Sequence, residues 1–242
     1  MAPRTPLLRP DRYFAQRDPN LARGLAVAGL VTVAALALVA ALGAVFTGKI
    51  DGTVMVDNPN RPPEAFCENG MNDTFSEMNT SFDCSGPAEI ERDIDPIINE
   101  ALGQFYGIMA IGMPVVLLVG AVLLHVGTAL ADADGSFGET LTVTAWGLAP
   151  SLVTIPLGVA ALWFLMDPVT VTSGTDPAAL QSTILNSIDP WIPAALALNL
   201  ATSIWGVAIW TFGLERGRSV SRSAAATVAI AVMGLFVLIG LA

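Results

Sequence analysis

Hydrophobic positions in this chain come in long runs, not in the spaced stripes of a soluble helix. Five runs stand out, at 24–46, 98–131, 140–166, 190–213 and 223–242. Each is near or above the ~20 residues that cross an apolar layer about 30 Å thick. They lack the polar face that a soluble core helix keeps toward water. The pattern predicts an all-α polytopic membrane protein, a bundle of five transmembrane helices. Pro114 falls midway along the second run, and Pro150 and Pro156 fall in the third, so the second and third spans are expected to be kinked.

The polar stretches between runs carry the helix punctuation. Asp95-Pro96, Asp176-Pro177 and Asp189-Pro190 each read as an N-cap followed by the first helical residue. After Asp176, the positions Leu180, Ile184 and Ile188 share one face, which predicts a short helix on the membrane surface. Asp11 is placed to cap a turn holding Tyr13 and Phe14, an interfacial foot if that segment is not a disordered tail. The first run is longer than the h-region of a cleaved signal peptide and is read as a retained span. Its Ala37 and Ala41, with Ala40 and Ala44, would let another helix approach closely.

Charge orients the bundle. The N-terminal segment 1–23 holds Arg4, Arg9, Arg12, Arg17 and Arg23, and the basic turn 214–222 holds Arg216, Arg218 and Arg222. Under the positive-inside rule both are cytoplasmic, as is the hinge 132–139 between the second and third spans. The loops 47–97 and 167–189 are then extracytoplasmic, and with five spans the C-terminus lies outside the cell membrane. Trp146 and Trp163 fall near the two ends of the third span, as interfacial aromatics do.

Composition supports lipid as the solvent. Hydrophobic residues make up 53% of the chain and charged ones only 13%, against about 25% charged in soluble domains. The net charge is −10, and Lys49 is the single lysine. Without a basic patch, nucleic acid is excluded as a partner. The acidic, lysine-poor balance resembles that of proteins from extreme halophiles.

The segment 47–97 concentrates the acid, with eleven carboxylates against three basic residues. Cys67 and Cys84 lie in it, and a disulfide between them would close a loop of about 17 residues and add about 3 kcal/mol. Asn72 and Asn79 begin glycosylation sequons. The carboxylates show no calcium-loop spacing, and two cysteines without a nearby histidine do not make a metal site. No cofactor is implied. His125, the one histidine, lies inside the second span. An ionisable group there is a candidate functional residue, although a neutral imidazole bonded within the bundle would fill the position equally well. Catalysis needs a nucleophile with a base, paired carboxylates or a metal triad. Ser136 and Glu139 are the nearest thing to a pair, and no general base accompanies them, so the protein is read as non-enzymatic.

Three stretches carry a resemblance: TPLLRPDRYFAQR before the first span, LLHVGTALADADGSFGETLTVTAWGLAP across the second and third, and SIWGVAIWTFGLERGRSVSRSAAA into the fifth. Their order and placement resemble the Yip1 family of five-span membrane proteins, and more closely its prokaryotic, halophilic archaeal branch. The family-motif hinge comprises Gly135, Ser136, Phe137, Gly138, Thr140, Trp146 and Pro150. The resemblance implies a small helical membrane domain with a cytoplasmic N-terminus that associates with itself or with other membrane proteins. Eukaryotic members associate with Rab-type GTPases in membrane traffic. The short N-terminal segment and long outer loop here do not support a GTPase partner. The expectation is therefore a membrane scaffold or interaction protein. The alternative is a transporter or channel component built on the proline-bearing spans and His125.

Overall fold

A computed structural model describes residues 3–61 and 85–240. The disulfide candidates Cys67 and Cys84 and the sequons at Asn72 and Asn79 lie outside the described residues. The elements, in order, are α1 (Pro10–Gln16), α2 (Leu21–Lys49), β1 (Ile50–Asp57), β2 (Glu89–Asp93), α3 (Ile94–Ala129), α4 (Phe137–Leu148), α5 (Ser151–Leu165), β3 (Val169–Val171), α6 (Pro177–Ile188), a 3-10 turn (Asp189–Trp191), α7 (Ile192–Gly217) and α8 (Arg222–Leu238).

Four helical stretches among the described residues are long and apolar enough to cross a membrane: Leu21–Lys49, Ile94–Ala129, Phe137–Leu165 and Ala178–Gly217. The fifth run forms α8, which is apolar but only 17 residues long. Side-chain caps begin several of these helices, Asp176 accepting from Ala178 N and Ala179 N for α6. The Asn20 carboxamide oxygen accepts from Arg23 N at 3.1 Å for α2, and Ser221 Oγ accepts from Ala224 N at 3.2 Å for α8. Ser136 and Glu139 form a full capping box for α4. Along α3 the positions Ile108, Ile111, Val115, Leu118, Val122 and Val126 are all exposed. An apolar stripe turned outward in this way is solvated by lipid tails, not water.

Helix α3 runs as one element through Pro114. Helices α4 and α5 meet at Ala149-Pro150, where i→i+3 bonds replace the usual ladder: Ala149 N to Trp146 O, Leu152 N to Ala149 O and Val153 N to Pro150 O. Pro150 has no N–H to continue the regular pattern. Helix α4 is the most enclosed segment, with Thr140 and every residue from Thr142 to Gly147 buried, and it packs against α2, α3 and α7. Thr142 and Thr144 return their hydroxyl protons to Gly138 O and Thr140 O, so each side chain is satisfied within its own helix.

The expectation of an all-α protein needs correction. Strands β2, β1 and β3 form a three-stranded sheet in that order, with β1 antiparallel to β2 and parallel to β3. The segment 47–97 is therefore not simply a solvated loop. Ile50, Val54 and Val56 alternate with Asp51, Thr53, Met55 and Asp57, and the charged residues take the outward positions. Reading that segment for its carboxylates hid the period-two pattern beneath them.

Two cores hold the ends of the bundle. At the sheet end, Val45, Ile50, Ile94, Leu162, Met166, Val169 and Val171 form one cluster. Leu180, Ile184 and Ile188 of α6 pack against it, so the apolar stripe of that short helix covers the protein's own core. At the other end, the turn end, Leu124, Val143, Trp146, Trp210, Leu214 and Phe236 belong to a larger cluster that includes Tyr13 and Phe14. The N-terminal segment is thus not a free tail. Helix α1 lies on α7, and Trp205 Nε1 donates to Leu7 O at 2.6 Å.

Candidate functional site at the two linked turns

The turn end gathers most of the residues singled out in the sequence. Leaving α3, the chain reverses through Asp132, in the left-handed region at φ 54°, and Gly135, at φ +97°. A Cβ on Gly135 would fall 2.5 Å from Gly217 O, so only glycine fits where the two turns touch. Ser136 then starts α4. Its Oγ accepts from Glu139 N at 3.3 Å, and its own N donates to Glu139 Oε2 at 2.6 Å.

Arg218 ties this hinge to the turn between α7 and α8. Its side chain is buried, with 3% exposure. Nε donates to Thr128 Oγ1 at 3.2 Å, Nη1 donates to Gly135 O, and Asp134 N donates back to Arg218 O at 3.1 Å. Among the described residues the one ion pair is Arg222–Glu215, at 2.9 Å on the surface. Neutral oxygens therefore meet the buried guanidinium. It also sits at the C-terminal ends of both α3 and α7, where aligned peptide dipoles favour a cation.

From Arg218 a file of polar contacts runs into the bundle. Thr128 Oγ1 donates to Leu124 O at 2.8 Å. His125 Nδ1 lies 3.1 Å from Thr140 Oγ1, and its ring meets the Phe137 ring edge-on at 5.5 Å between centroids. Thr144 Oγ1 donates to Thr140 O, and Trp210 Nε1 donates to Thr144 O at 3.2 Å. The indole lies close against Gly147, where a Cβ would fall 1.9 Å from Trp210 Nε1.

This arrangement fastens elements to one another. The Ser136–Glu139 pair is consumed in the capping box, with Glu139 Oε2 accepting from both the N and the Oγ of Ser136. No group of three or more His, Cys, Asp or Glu residues among the described ones could hold a metal ion. Of the hinge residues named from sequence, Gly135, Ser136, Phe137, Gly138 and Thr140 surround the linked turns. Trp146 lies one level deeper, buried beside Tyr13 at 5.6 Å between ring centroids. Pro150 stands apart at the α4–α5 junction. Of the basic turn, only Arg218 enters, while Arg216 is exposed and Arg222 stays on the surface over the Phe212 ring. Thr128, Gly147, Trp205 and Trp210 were not singled out in the sequence. Thr128 follows His125 by one turn, which would have flagged it. The pairing of Gly147 with Trp210 leaves no local signal.

The Yip1 domain family model matches residues 5–242. The chain belongs to the Yip1 family. No curated protein and no solved structure matches it. The match spans the N-terminal segment, the hinge and the basic turn, so the linked turns of this Yip1 protein lie wholly within the family domain. Its apolar helices and its family together make it a multi-pass membrane protein.

Proposed function

We propose that this Yip1-family protein is a non-enzymatic membrane scaffold that presents a rigid helical surface to other membrane proteins, a second copy included. The observation that carries this reading is an apolar groove of about 590 Å³ between α2 and α5, lined by Ala34, Ala37, Ala41, Pro156, Val159 and Trp163, among others. Small residues along α2 let a neighbouring helix come close, the packing that drives helix association in lipid. The polar groups at the turn end are by contrast used in holding the protein together. His125, engaged by Thr140 and Phe137, fits a packing role better than a place on a transport path.

The topology belonging to this reading has five spans, the N-terminus in the cytoplasm and the C-terminus outside. Helix α8, at 17 residues, would reach about 26 Å at ~1.5 Å per residue, and a modest local thinning of the bilayer accommodates that length. The sheet end then faces outward and the linked turns face the cytoplasm. The acidic, lysine-poor composition supports work at high salt, as in the halophilic archaeal branch.

Disulfide cross-linking in native membranes tests the association. Cysteine placed at Ala37 is expected to trap a dimer or a reproducible heteromeric partner, and Ala37→Leu should abolish the product trapped from elsewhere along α2. A strictly monomeric protein, with no cross-link along the groove, would sink the proposal.

A further inference from the structure

Three arginines from three different segments converge on one pocket at the turn end. Arg4 comes from the extended N-terminal stretch, Arg17 from the residue after α1 and Arg23 from the first turns of α2. Ala26, Val27 and Trp146 complete the lining, and the space is about 380 Å³. No carboxylate lines it. Among the described residues, none of the three guanidiniums has a hydrogen bond or ion pair within the protein; Arg23 is engaged through its backbone N, which donates to the Asn20 side chain.

Arg4 and Arg23 are exposed and Arg17 is half-buried, so all three guanidiniums are open to an anion arriving at the surface. The fold fixes the backbone from which each of them extends. Pro6 is fully buried just past Arg4, and Leu7 O is anchored by Trp205. Arg17 Cζ lies 5.8 Å from the centre of the Tyr13 ring, itself packed on Trp146. Arg23 is held by the capped start of α2. The pocket is also amphipathic along the α2 axis. Its basic mouth lies at the helix start, and Ala26 and Val27 lead on toward the exposed Leu30 and Val33 farther along the span.

We propose that this pocket binds the phosphate of an anionic membrane lipid, the arginines taking the headgroup and the α2 wall taking the start of the acyl chains. Guanidiniums match phosphate oxygens in pairs, and basic pockets beside transmembrane helices are suited to such headgroups. The proposal rests on reading α2 as a membrane span with this end at the bilayer surface. It does not require the groove between α2 and α5.

The test uses the full chain in detergent, titrated with phosphatidylglycerol, phosphatidylcholine and soluble glycerol 3-phosphate, with bound molecules counted by native mass spectrometry. Phosphatidylglycerol should be retained at concentrations where the other two are not. At about fivefold per arginine, the triple variant Arg4→Gln, Arg17→Gln, Arg23→Gln should weaken retention on the order of 100-fold. The double variant Arg12→Gln, Arg216→Gln removes two exposed arginines outside the pocket and should leave retention unchanged. Ala26→Trp narrows the apolar wall without changing charge, and should lower retention of the lipid. Equal retention by the wild type and the triple variant overturns the proposal, as does an equal loss in the control. Glycerol 3-phosphate binding as tight as the lipid's overturns the choice of a lipid. Should the triple variant not fold, the single changes Arg4→Gln and Arg23→Gln, both at exposed residues, decide the matter at about fivefold each. Carbonate-resistant membrane association of the same chains separates failure of the pocket from failure of the membrane reading.

Discussion

Arg218 shows how a charged residue can serve structure inside an apolar bundle. Its bonds to Thr128 and to the Gly135 carbonyl each join a cation to a neutral oxygen, and such bonds contribute about 1.5–3 kcal/mol apiece. Arg218→Met keeps the aliphatic stem and removes both donors. It is expected to cost about 3 kcal/mol, read as a lowered unfolding midpoint in detergent. Arg218→Lys should recover only part, because a point ammonium does not reproduce the planar fork. Gly147→Ala tests the other end of the same file. A methyl group 1.9 Å from Trp210 Nε1 forces the indole away and should cost about 1–3 kcal/mol, with tryptophan fluorescence shifting as Trp210 moves. Arg218 could be named from sequence as one of three arginines in a turn. Its burial, against the exposure of Arg216, could not. Arg216 lies in the last turn of α7 and Arg218 is its C-cap, and the position of the neighbouring hinge decides which is covered.

Among the elements, the helices were readable and the sheet was not. Runs of apolar residues dominate any reading of composition, and the helix stops at Lys49 and Ala129 fall within a few residues of the expected ends. β1 is different. Its inward residues, Ile50, Val54 and Val56, are few, and its partners come from far along the chain: Glu89–Asp93 on one side and Val169–Val171 on the other. Non-local pairing of this kind leaves only a weak imprint on local sequence. One bond within the sheet is sensitive to acid. Thr53 Oγ1 donates to Glu91 Oε1 at 2.5 Å, and this bond, with a second from Ser173, holds the Glu91 carboxyl below its ordinary value of 4.5. A depressed carboxyl stabilises the fold above the unfolded-state pKa, and that contribution drains away as pH falls through the folded one. The unfolding midpoint should therefore drop on acidification below about pH 4.5, and Glu91→Gln should flatten that part of the profile. An unchanged profile in the variant would assign the acid sensitivity elsewhere.

For the whole molecule, the design is two packed ends joined by helices whose outer faces are left to lipid. The sheet-end core ties α2, α3, α5 and α6 together, and the turn-end core ties α1, α3, α4, α7 and α8. Hydropathy made the membrane class legible, and the ordered motifs made the family legible. The packing within each end could not be read, because it depends on contacts between residues such as Trp146 and Tyr13 at the turn end that share no local pattern. Net charge acts at this scale as well. With 21 acidic residues against 11 basic, self-repulsion should fall as salt screens it, the Debye length shrinking from about 10 Å at 0.1 M to about 3 Å at 1 M. The unfolding midpoint is accordingly expected to rise between 0.1 and 1 M KCl, and a midpoint that falls would argue against the high-salt reading.

The bond from Trp205 to Leu7 also has a meaning in time. Its two ends are 198 residues apart, so Leu7 is synthesised well before the helix that anchors it. At ~5–20 residues per second, the delay is on the order of 10–40 s. Throughout that interval Leu7 O lacks the indole that later holds it, so the N-terminal stretch takes its final place only after α7 is made.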